Sequence, residues 1–448
     1  MKKMRIIIAV LSLSLFCVTS GVAFDFGALL GSGVKGSRTH DREGEDICET
    51  TSDFRHMENF SAWLRTPLNK KGNVTLSAQG SFNYEFLCRQ YQTGKRFLEK
   101  NTTDTYYWNY SLYEASDYWD YTADLDLLKI TYMEKPAPDE NLTISVGRFL
   151  YCDTTNVIFT QNCDGMLVQY FSPKVQTSFY AGYTGFLNQK NVSILTQNDG
   201  YYGKDVYIVH SEDHTDDRWY KKLYDWADPY FASAFAVSFP YLFCNQTLGF
   251  EINSFFGSRG PSEVEPGSDN NRYYLTTNLS GPLDKSLTYS VATTFFTQDF
   301  KKLGLLSQFN LSYYFNYKNA SLTLSSVFAT GESKHVSRFQ AFTSNSSSYA
   351  HITGADLLAG DNGEYSGMVK MGLSGSIKPV STFYIVAGAD LVNRCAHNLV
   401  RYYGWQWYGS AQLQCTSDCQ IALTGYSFYG KEVYNDSAGV SLTLTLAF

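Results

Sequence analysis

The last residues of the chain, 437–448, alternate strictly between two kinds of side chain. Alternation with a period of two predicts a β-strand with one apolar face and one small, mostly polar face. In a soluble protein such a strand would be an adhesive edge, whereas in a closed barrel its faces meet lipid and a polar lumen. The apolar row is Val440, Leu442, Leu444, Leu446 and Phe448, and the other row is Ser441, Thr443, Thr445 and Ala447.

The composition favours strands over helices along the whole chain. Aromatic residues make up 16% of the sequence and charged residues only 18%, whereas about 25% charged residues is usual. Glycine is frequent at 34 residues and proline is sparse at 10, and aromatic residues are enriched in strands. The mildly polar mean hydropathy of −0.25 argues against a helical membrane protein. A net charge of −7 argues against nucleic acid as a partner.

The N-terminus has the organisation of a secretory signal peptide. Lys2, Lys3 and Arg5 precede an apolar stretch at 6–18, and small residues at 21–23 suit a cleavage site. We therefore expect an exported protein in which residues 1–23 are removed. The apolar stretch is too short for a membrane-spanning helix.

From residue 59 onward, strand-like segments alternate with connectors of two lengths. Short connectors rich in Pro, Gly, Asn or Asp predict tight turns, and the longer ones are 87–117, 150–164, 185–229, 257–271, 331–363 and 393–403. Short turns at one end and long loops at the other are typical of outer-membrane β-barrels. The predicted strands are 24–35, 60–68, 73–86, 118–132, 142–149, 165–171, 175–184, 230–239, 247–256, 272–279, 286–297, 307–317, 320–330, 364–377, 381–392, 404–414, 420–430 and 437–448.

Strand direction gives a second constraint on this barrel. If the last strand ends in the periplasm, counting back makes residues 60–68 run inward, so an outgoing strand must precede them. We therefore predict an all-β, transmembrane antiparallel barrel of about 16 to 18 strands at residues 59–448, with 14 also open. Residues 24–58 are either its first strand or a segment inside the lumen.

Two stretches carry resemblances to known families. The closing strand with its terminal Phe448 resembles that of bacterial outer-membrane barrels, which implies an assembly signal read by the barrel assembly machinery. The stretch around Gly147-Arg148 and Asp164-Gly165 resembles the strand–loop–strand region of porin-like and alginate-export-type barrels. Length and an N-terminal segment give a weaker resemblance to long-chain fatty-acid transporters, although their Asn-Pro-Ala hatch motif is absent.

The polar face of the predicted strands carries few charges. Asp120, Asp124 and Asp126 share one face, and Lys129 is in phase with them after a one-residue slip at Leu127-Leu128. These residues either hydrogen-bond across strands and face lumen water, or favour cations or polyols in a pore. The other predicted lumen-facing charges are Glu251, Lys370 and Asp390.

Cysteine positions leave room for local disulfides. The chain has nine cysteines, and Cys17 lies in the signal peptide. Cys152 and Cys163 bracket one predicted loop, and Cys415 and Cys419 bracket one tight turn, so each pair is a candidate disulfide in an exported protein. The alternative, which the sequence supports equally, is that these cysteines are free thiols on strands. No CxxC or zinc-finger spacing occurs, so no metal site is predicted.

The remaining motifs favour transport over chemistry. The sequence has no HExxH or GxSxG, and the ionisable run at 210–217 is interpreted as a solvated loop. We predict a non-enzymatic porin without cofactors, embedded in outer-membrane lipid as a monomer or trimer, through which small polar solutes diffuse passively. The alternatives are a transporter of hydrophobic substrates such as fatty acids, and a surface adhesin or antigen acting through the loops at 185–229 and 331–363.

Overall fold

A computed structural model describes most of the chain. It covers residues 25–43, 47–98, 106–188, 194, 226–227, 229–257, 271–298, 300–331, 333–343, 367–396, 399–430 and 436–448. Within these ranges, no helix combines the length and the apolar character needed to cross a membrane.

The strands form a single antiparallel sheet of 18 strands, which confirms the predicted barrel class and the upper end of the predicted count. Each predicted strand corresponds to one observed strand. Their bounds are β1 (Asp25–Glu43), β2 (Ile47–Pro67), β3 (Val74–Leu98), β4 (Tyr106–Glu134), β5 (Asn141–Cys152), β6 (Thr160–Phe171), β7 (Gln176–Tyr183), β8 (Tyr230–Phe243), β9 (Gln246–Gly257), β10 (Arg272–Asp284), β11 (Leu287–Gln298), β12 (Lys302–Phe315), β13 (Ala320–Ala329), β14 (Met368–Val380), β15 (Phe383–Ala396), β16 (Leu399–Thr416), β17 (Cys419–Gly430) and β18 (Asp436–Ala447).

The last strand closes the barrel on the first. β18 pairs with β1 from Leu29↔Ala447 to His40↔Asp436. Beyond the strand, the Phe448 amide donates to the Ala28 carbonyl at 2.9 Å, and the Ala28 amide donates back at 3.1 Å. Closure removes the free edges, as a barrel in hydrocarbon requires.

Tight turns and long connections lie at opposite ends of the barrel. The end that holds Asp25 and Phe448 carries the short turns, including those at residues 244–245 and 316–319. Cys244, Asn245, Lys318 and Asn319 adopt positive φ in these turns, as two-residue hairpin turns require. By the usual layout of such barrels, this end is periplasmic and the other is extracellular.

The first four strands are much longer than the sequence indicated. β3 and β4 have 25 and 29 residues, whereas crossing a bilayer takes about 9–11 residues. Segment 87–117, which we predicted as a connector, and segment 36–58, which follows the first predicted strand, are largely strand. Above the membrane a strand has no lipid-facing side, so the apolar alternation that marks the other strands is absent there. Residues 25–43 lie in the barrel wall as β1.

Exposed side chains identify the outer face of the wall. Val440, Leu442 and Leu444 of β18 are exposed on the side away from the lumen, as are Trp405 and Trp407 of β16. Thr443 lies on the other face and lines a cavity inside the barrel. The strict alternation of β18 therefore separates a lipid-facing row from a lumen-facing row.

These faces predict opposite responses to charge at two adjacent positions. Leu442→Arg should lower the free energy of unfolding in lipid vesicles by about 2–4 kcal/mol, because the cation enters hydrocarbon. Thr443→Arg, the matched control, should cost much less, because its side chain reaches lumen water. Denaturant unfolding followed by tryptophan fluorescence measures both. An equal loss for the two variants would contradict the assigned faces.

Candidate functional site: the barrel lumen

A dry aromatic core fills one side of the lumen. Two segments turn inward from the extracellular end: residues 153–159 after β5 and residues 333–343 after β13. They meet where the Phe342 and Thr343 amides donate to the Ile158 carbonyl at 2.9 and 3.0 Å. The Phe255 and Phe342 rings stack with centroids 3.8 Å apart. The buried rings of this core are those of Phe149, Tyr151, Phe159, Tyr180, Tyr230, Phe255, Tyr274, Phe296, Phe339 and Phe342, and the same cluster continues to Tyr403 of β16 and Phe428 of β17.

Two buried carboxylates hold the segment 153–159. Asp153 accepts hydrogen bonds from the amides of Ile158 and Phe159 at 2.9 and 2.8 Å. Glu251, on β9, accepts from the Thr154 amide at 2.7 Å and from the Tyr151 hydroxyl at 3.2 Å. Burial raises the pKa of the Asp153 carboxyl group, and its backbone hydrogen bonds oppose that rise. These contacts fix the inward loop to the barrel wall.

Side chains of β10 hold the segment 333–343. The Arg272 guanidinium donates to the Ala341 carbonyl at 3.1 Å and lies 5.8 Å from the centre of the Phe342 ring. The Tyr274 hydroxyl donates to the Gln340 carbonyl at 2.8 Å. The segment is thus tied both to β10 and to the loop at 153–159, and we interpret it as a fixed constriction.

Burial corrects the pore-lining position expected for Glu251, Lys370 and Asp390. Their flanking residues face outward, so the three side chains point inward, but their exposed fractions are 1%, 7% and 3%. Lys370 Nζ lies 3.1 Å from Asp390 Oδ2, and the Gln406 amide also donates to Asp390. These charges are paired within the packed interior and do not line open lumen.

The other side of the lumen is open and is walled by β1–β4 and β18. Asp120 faces it from β4, whereas Asp124 Oδ1 lies 3.7 Å from Arg148 Nη1 and its side chain is only 7% exposed. Gly80 pairs with Leu125 and the preceding Gln79 with Leu127, so Asp126 is the extra residue of a β-bulge. The slip that the sequence suggested at Leu127-Leu128 therefore lies at Asp126. The bulge keeps Asp126 and Lys129 on the lumen side, and Ser81 Oγ donates to Asp126 at 3.0 Å.

Further lumen charges lie on β1–β3, and the sequence analysis did not identify them: Arg55 and Arg89 fall outside the predicted strands, whereas Lys35 and Glu85 fall near the ends of two of them. Register puts Glu85 beside Asp120 and Lys35 beside Arg55. Arg55 Nη1 lies 3.4 Å from Glu85 Oε1, and nearer the extracellular end Arg89 forms two hydrogen bonds to Asp53 at 2.8 and 2.9 Å. Alternation of polar residues through 51–59 and 81–89 was the signal that could have revealed them.

The charges of this wall form three bands along the strands. Basic side chains, compensated in part by Asp53, lie nearest the extracellular end, on the rows of Lys35 and Arg89. A carboxylate band follows and comprises Glu85, Asp120 and Asp126, together with Asp124, which is paired with Arg148. Arg65 and Lys129 lie nearest the periplasmic end, where both pair with Ser77. A solute that follows this wall meets potentials of alternating sign.

Arg148 seals the place where β5 separates from β4. The last pair between them is Leu128↔Arg148, whereas β4 continues to Tyr106. The guanidinium forms two hydrogen bonds to Asp164 at 2.9 and 2.8 Å. It also donates to the carbonyls of Leu125 at 3.2 Å and Phe186 at 2.6 Å. It thereby supplies donors to a strand edge that β5 no longer covers.

Phe448 and the candidate disulfide cysteines, which the sequence analysis also singled out, lie away from the open side of the lumen or within the packed interior. Phe448 is at the closing seam, where its role as an assembly signal stays a prediction. All the cysteines that the structure describes are free thiols. Cys152 is opposite Thr160 and Cys163 opposite Phe149. Three strand positions, about 10 Å, separate these pairs, too far for the disulfide we expected.

Cys415 and Cys419 flank the turn between β16 and β17, beside the pair Thr416↔Cys419. Both are free thiols in the structure, and their oxidation to a disulfide in the exported protein stays a prediction. The ionisable run at 210–217 and most of the loops at 185–229 and 331–363 lie outside the described residues.

Structural comparison identifies similar barrels, although no family model and no curated protein matches the sequence. OccK7 (OpdD) of Pseudomonas aeruginosa superposes with a TM-score of 0.56 at 10% identity, over 95% of this chain and 99% of that chain. OccK5 (OpdH) of the same organism superposes with a TM-score of 0.51 at 10% identity, over 95% of this chain and 98% of that chain. OccK3 (OpdO), also of Pseudomonas aeruginosa, superposes with a TM-score of 0.51 at 10% identity, over 95% of this chain and 96% of that chain.

This likeness is one of fold: the described strands form the same kind of β-barrel as these Pseudomonas aeruginosa proteins. It does not support the alginate-export-type or the fatty-acid-transporter resemblance. The N-terminal segment agrees with this correction, because residues 25–43 form a wall strand and not a lumenal hatch.

Removing the Arg148 guanidinium should destabilise the barrel strongly. Arg148→Met leaves Asp164 and two backbone carbonyls without their donor, and we expect a loss of about 3 kcal/mol in the free energy of unfolding. Arg55→Met is the control, because this guanidinium is about one-third exposed and its ion pairs are longer, which predicts a loss under about 1 kcal/mol. Denaturant midpoints in vesicles compare the two, and equal losses would refute the sealing role.

Proposed function

We propose that this protein is an outer-membrane channel for passive diffusion of small polar solutes. The observation that carries the proposal is the division of the lumen into a packed side and an open side. The open side presents small and polar groups, among them Gly31, Asn59, Thr122 and Thr443, around a cavity of about 450 Å³. A lumen that served only to stabilise the barrel would have no reason to keep one wall polar and unfilled.

The wall of the open side supports transport without a chemical step. Its charges are held by cross-strand partners, as in the Arg55–Glu85 and Arg89–Asp53 pairs. Fixed groups of this kind replace part of a solute's hydration while it passes, and the width of the opening sets the size limit. The segments 153–159 and 333–343 would provide that limit from the opposite side.

The carboxylate band adds a preference for cations to this proposal. Asp126 accepts its hydrogen bond from a neutral hydroxyl, Ser81, and the Arg148 guanidinium acts on it from a longer distance. Two unit charges about 8 Å apart in water interact by about 0.5 kcal/mol, and screening in about 0.1 M salt roughly halves that energy. Each carboxylate then raises the local cation concentration about 1.5-fold and lowers the anion concentration by the same factor, a roughly twofold effect on the cation-to-anion ratio.

Planar lipid bilayers test the channel and its selectivity together. The purified barrel should open steady channels in KCl, and under a salt gradient its reversal potential should indicate preference for K⁺. The double variant Asp120→Asn, Asp126→Asn should reduce the permeability ratio about fourfold, by the estimate above. Asp284→Asn, in an exposed periplasmic turn, should leave it unchanged. A correctly folded barrel with no conductance would refute the channel.

Surface binding is a second candidate, favoured by the length of β3 and β4. These strands continue well past the span a bilayer needs, to Leu98 and from Tyr106. Shortening the hairpin by joining Gln90 to Ala115, which pair across it, should preserve conductance and abolish adhesion of bacteria to host cells. Unchanged adhesion would exclude this hairpin as the binding element.

A further inference from the structure

The open side of the lumen contains a groove shaped by small residues of the closing seam. Its floor is where β1 meets β18, at the pairs Gly31↔Thr445 and Gly33↔Thr443. Its volume is about 450 Å³, within the range of small-molecule sites of about 300–1,000 Å³. The side walls come from Met57 and Asn59 of β2, Asn83 and Glu85 of β3, and Asp120 and Thr122 of β4, so one apolar side chain lies among the polar ones.

Gly31, in the floor of the groove, leaves room for a solute, and its backbone conformation does not require glycine. It is not among the positive-φ glycines, and a Cβ built on it would come no closer than 3.8 Å to Asn59 Cβ. A larger residue would therefore fit without strain, and what it would remove is the room above the floor. The groove is a consequence of which side chains are present at the seam.

The side walls present hydrogen-bonding groups at close spacing. The Asn59 and Asn83 side chains hydrogen-bond to each other across β2 and β3. Glu85 is paired with Arg55 at 3.4 Å, and the Tyr121 amide donates to Asp120 Oδ1 at 2.8 Å. The two carboxylates are therefore partly engaged, and they offer their remaining lone pairs as oriented acceptors beside hydroxyl and amide groups.

This chemistry matches a solute with several neighbouring hydroxyl groups. An anion would meet the Glu85 and Asp120 carboxylates, and a simple cation would compete with Arg55 for Glu85. Each hydroxyl both donates and accepts, so adjacent hydroxyls satisfy carboxylates, amides and threonines at once. We propose that the groove is a binding subsite for uncharged polyhydroxylated solutes, sugar alcohols and monosaccharides, a proposal that rests on the channel function proposed above.

Two variants separate the shape of the groove from its hydroxyl groups. Gly31→Leu fills the space above the floor, and Gly409→Leu makes the same change on the outer face of β16, where a Cβ meets its nearest neighbour at 3.6 Å. The double variant Thr443→Val, Thr445→Val removes two hydroxyls at constant shape. Thr323→Val is its control, because this residue hydrogen-bonds to Ser312 on the far wall of the barrel.

The measurement is the reduction of KCl current by sorbitol in planar bilayers, with triethylene glycol as a polar solute that lacks adjacent hydroxyls. Sorbitol should reduce the current saturably, and triethylene glycol should not. The double threonine variant should weaken the apparent sorbitol affinity about three- to tenfold. Gly31→Leu should abolish saturation while the channel still conducts, and both controls should behave as the parent protein does.

The outcomes distinguish the groove from the channel. Two results would overturn the polyol subsite and leave the channel intact. In the first, the channel conducts and sorbitol reduces the current in linear proportion to its concentration, without saturation. In the second, sorbitol reduces the current no more than triethylene glycol does. Block by a diamine such as putrescine but not by sorbitol would likewise overturn it, in favour of a cation site. Absence of conductance from the folded barrel would overturn both proposals.

Discussion

The structure depends on pairing the backbone of its first strand with that of its last. In hydrocarbon an unpaired amide or carbonyl group costs several kcal/mol, so an open 18-stranded sheet would expose two unpaired edges to lipid. The β1–β18 ladder, ended by the reciprocal bonds between Ala28 and Phe448, removes both edges. Closure at this strand number also sets the perimeter. A barrel this wide has more interior than its wall side chains can fill, so segments from the loops enter the lumen.

The same constraint explains the unusual chemistry at the β4–β5 junction. Gly147 has a φ of 127°, and a Cβ there would lie 2.1 Å from the Leu128 carbonyl oxygen, so only glycine permits this close approach. Immediately above it β5 leaves β4, and the Arg148 guanidinium donates to the β4 carbonyl of Leu125. Asn188 donates similarly to the Ala123 carbonyl at 3.3 Å. The Gly-Arg and Asp-Gly pairs noticed in the sequence thus repair an interrupted ladder.

Sequence reasoning located the strands wherever lipid imposed a pattern. Val440, Leu442 and Leu444 alternate with small or polar residues because the outward face of the strand contacts hydrocarbon. Alternation of this kind, together with the turn residues between strands, located every membrane-spanning strand. The upper parts of β1–β4 carry no such pattern, so Arg55 and Arg89 fell outside the predicted strands, and Glu85, near the end of the predicted strand 73–86, was not recognised as a lumen charge. Inward folding of 153–159 was equally invisible, because Val157, Ile158 and Phe159 are buried by contacts with distant strands. The sequence predicted that Glu251 faces the lumen, but it did not predict that the segment 153–159 covers its side chain.

The packed and open sides of the lumen have different causes, and together they shape the passage. On the β5–β13 side, buried rings such as Phe255 and Phe342 pack like a soluble core, which holds the constricting segments rigidly. On the seam side, Gly31 and Gly33 face Thr445 and Thr443, so small residues line this part of the seam, and Lys35 is the next residue of β1 on the same face. The residues that close the barrel are therefore also those that leave space in it. Larger side chains at the seam would narrow the passage without changing the packing of the core. Weaker packing of the core would let the segments 153–159 and 333–343 move without changing the chemistry of the groove. Size limitation and solute recognition are thus assigned to opposite walls of one lumen.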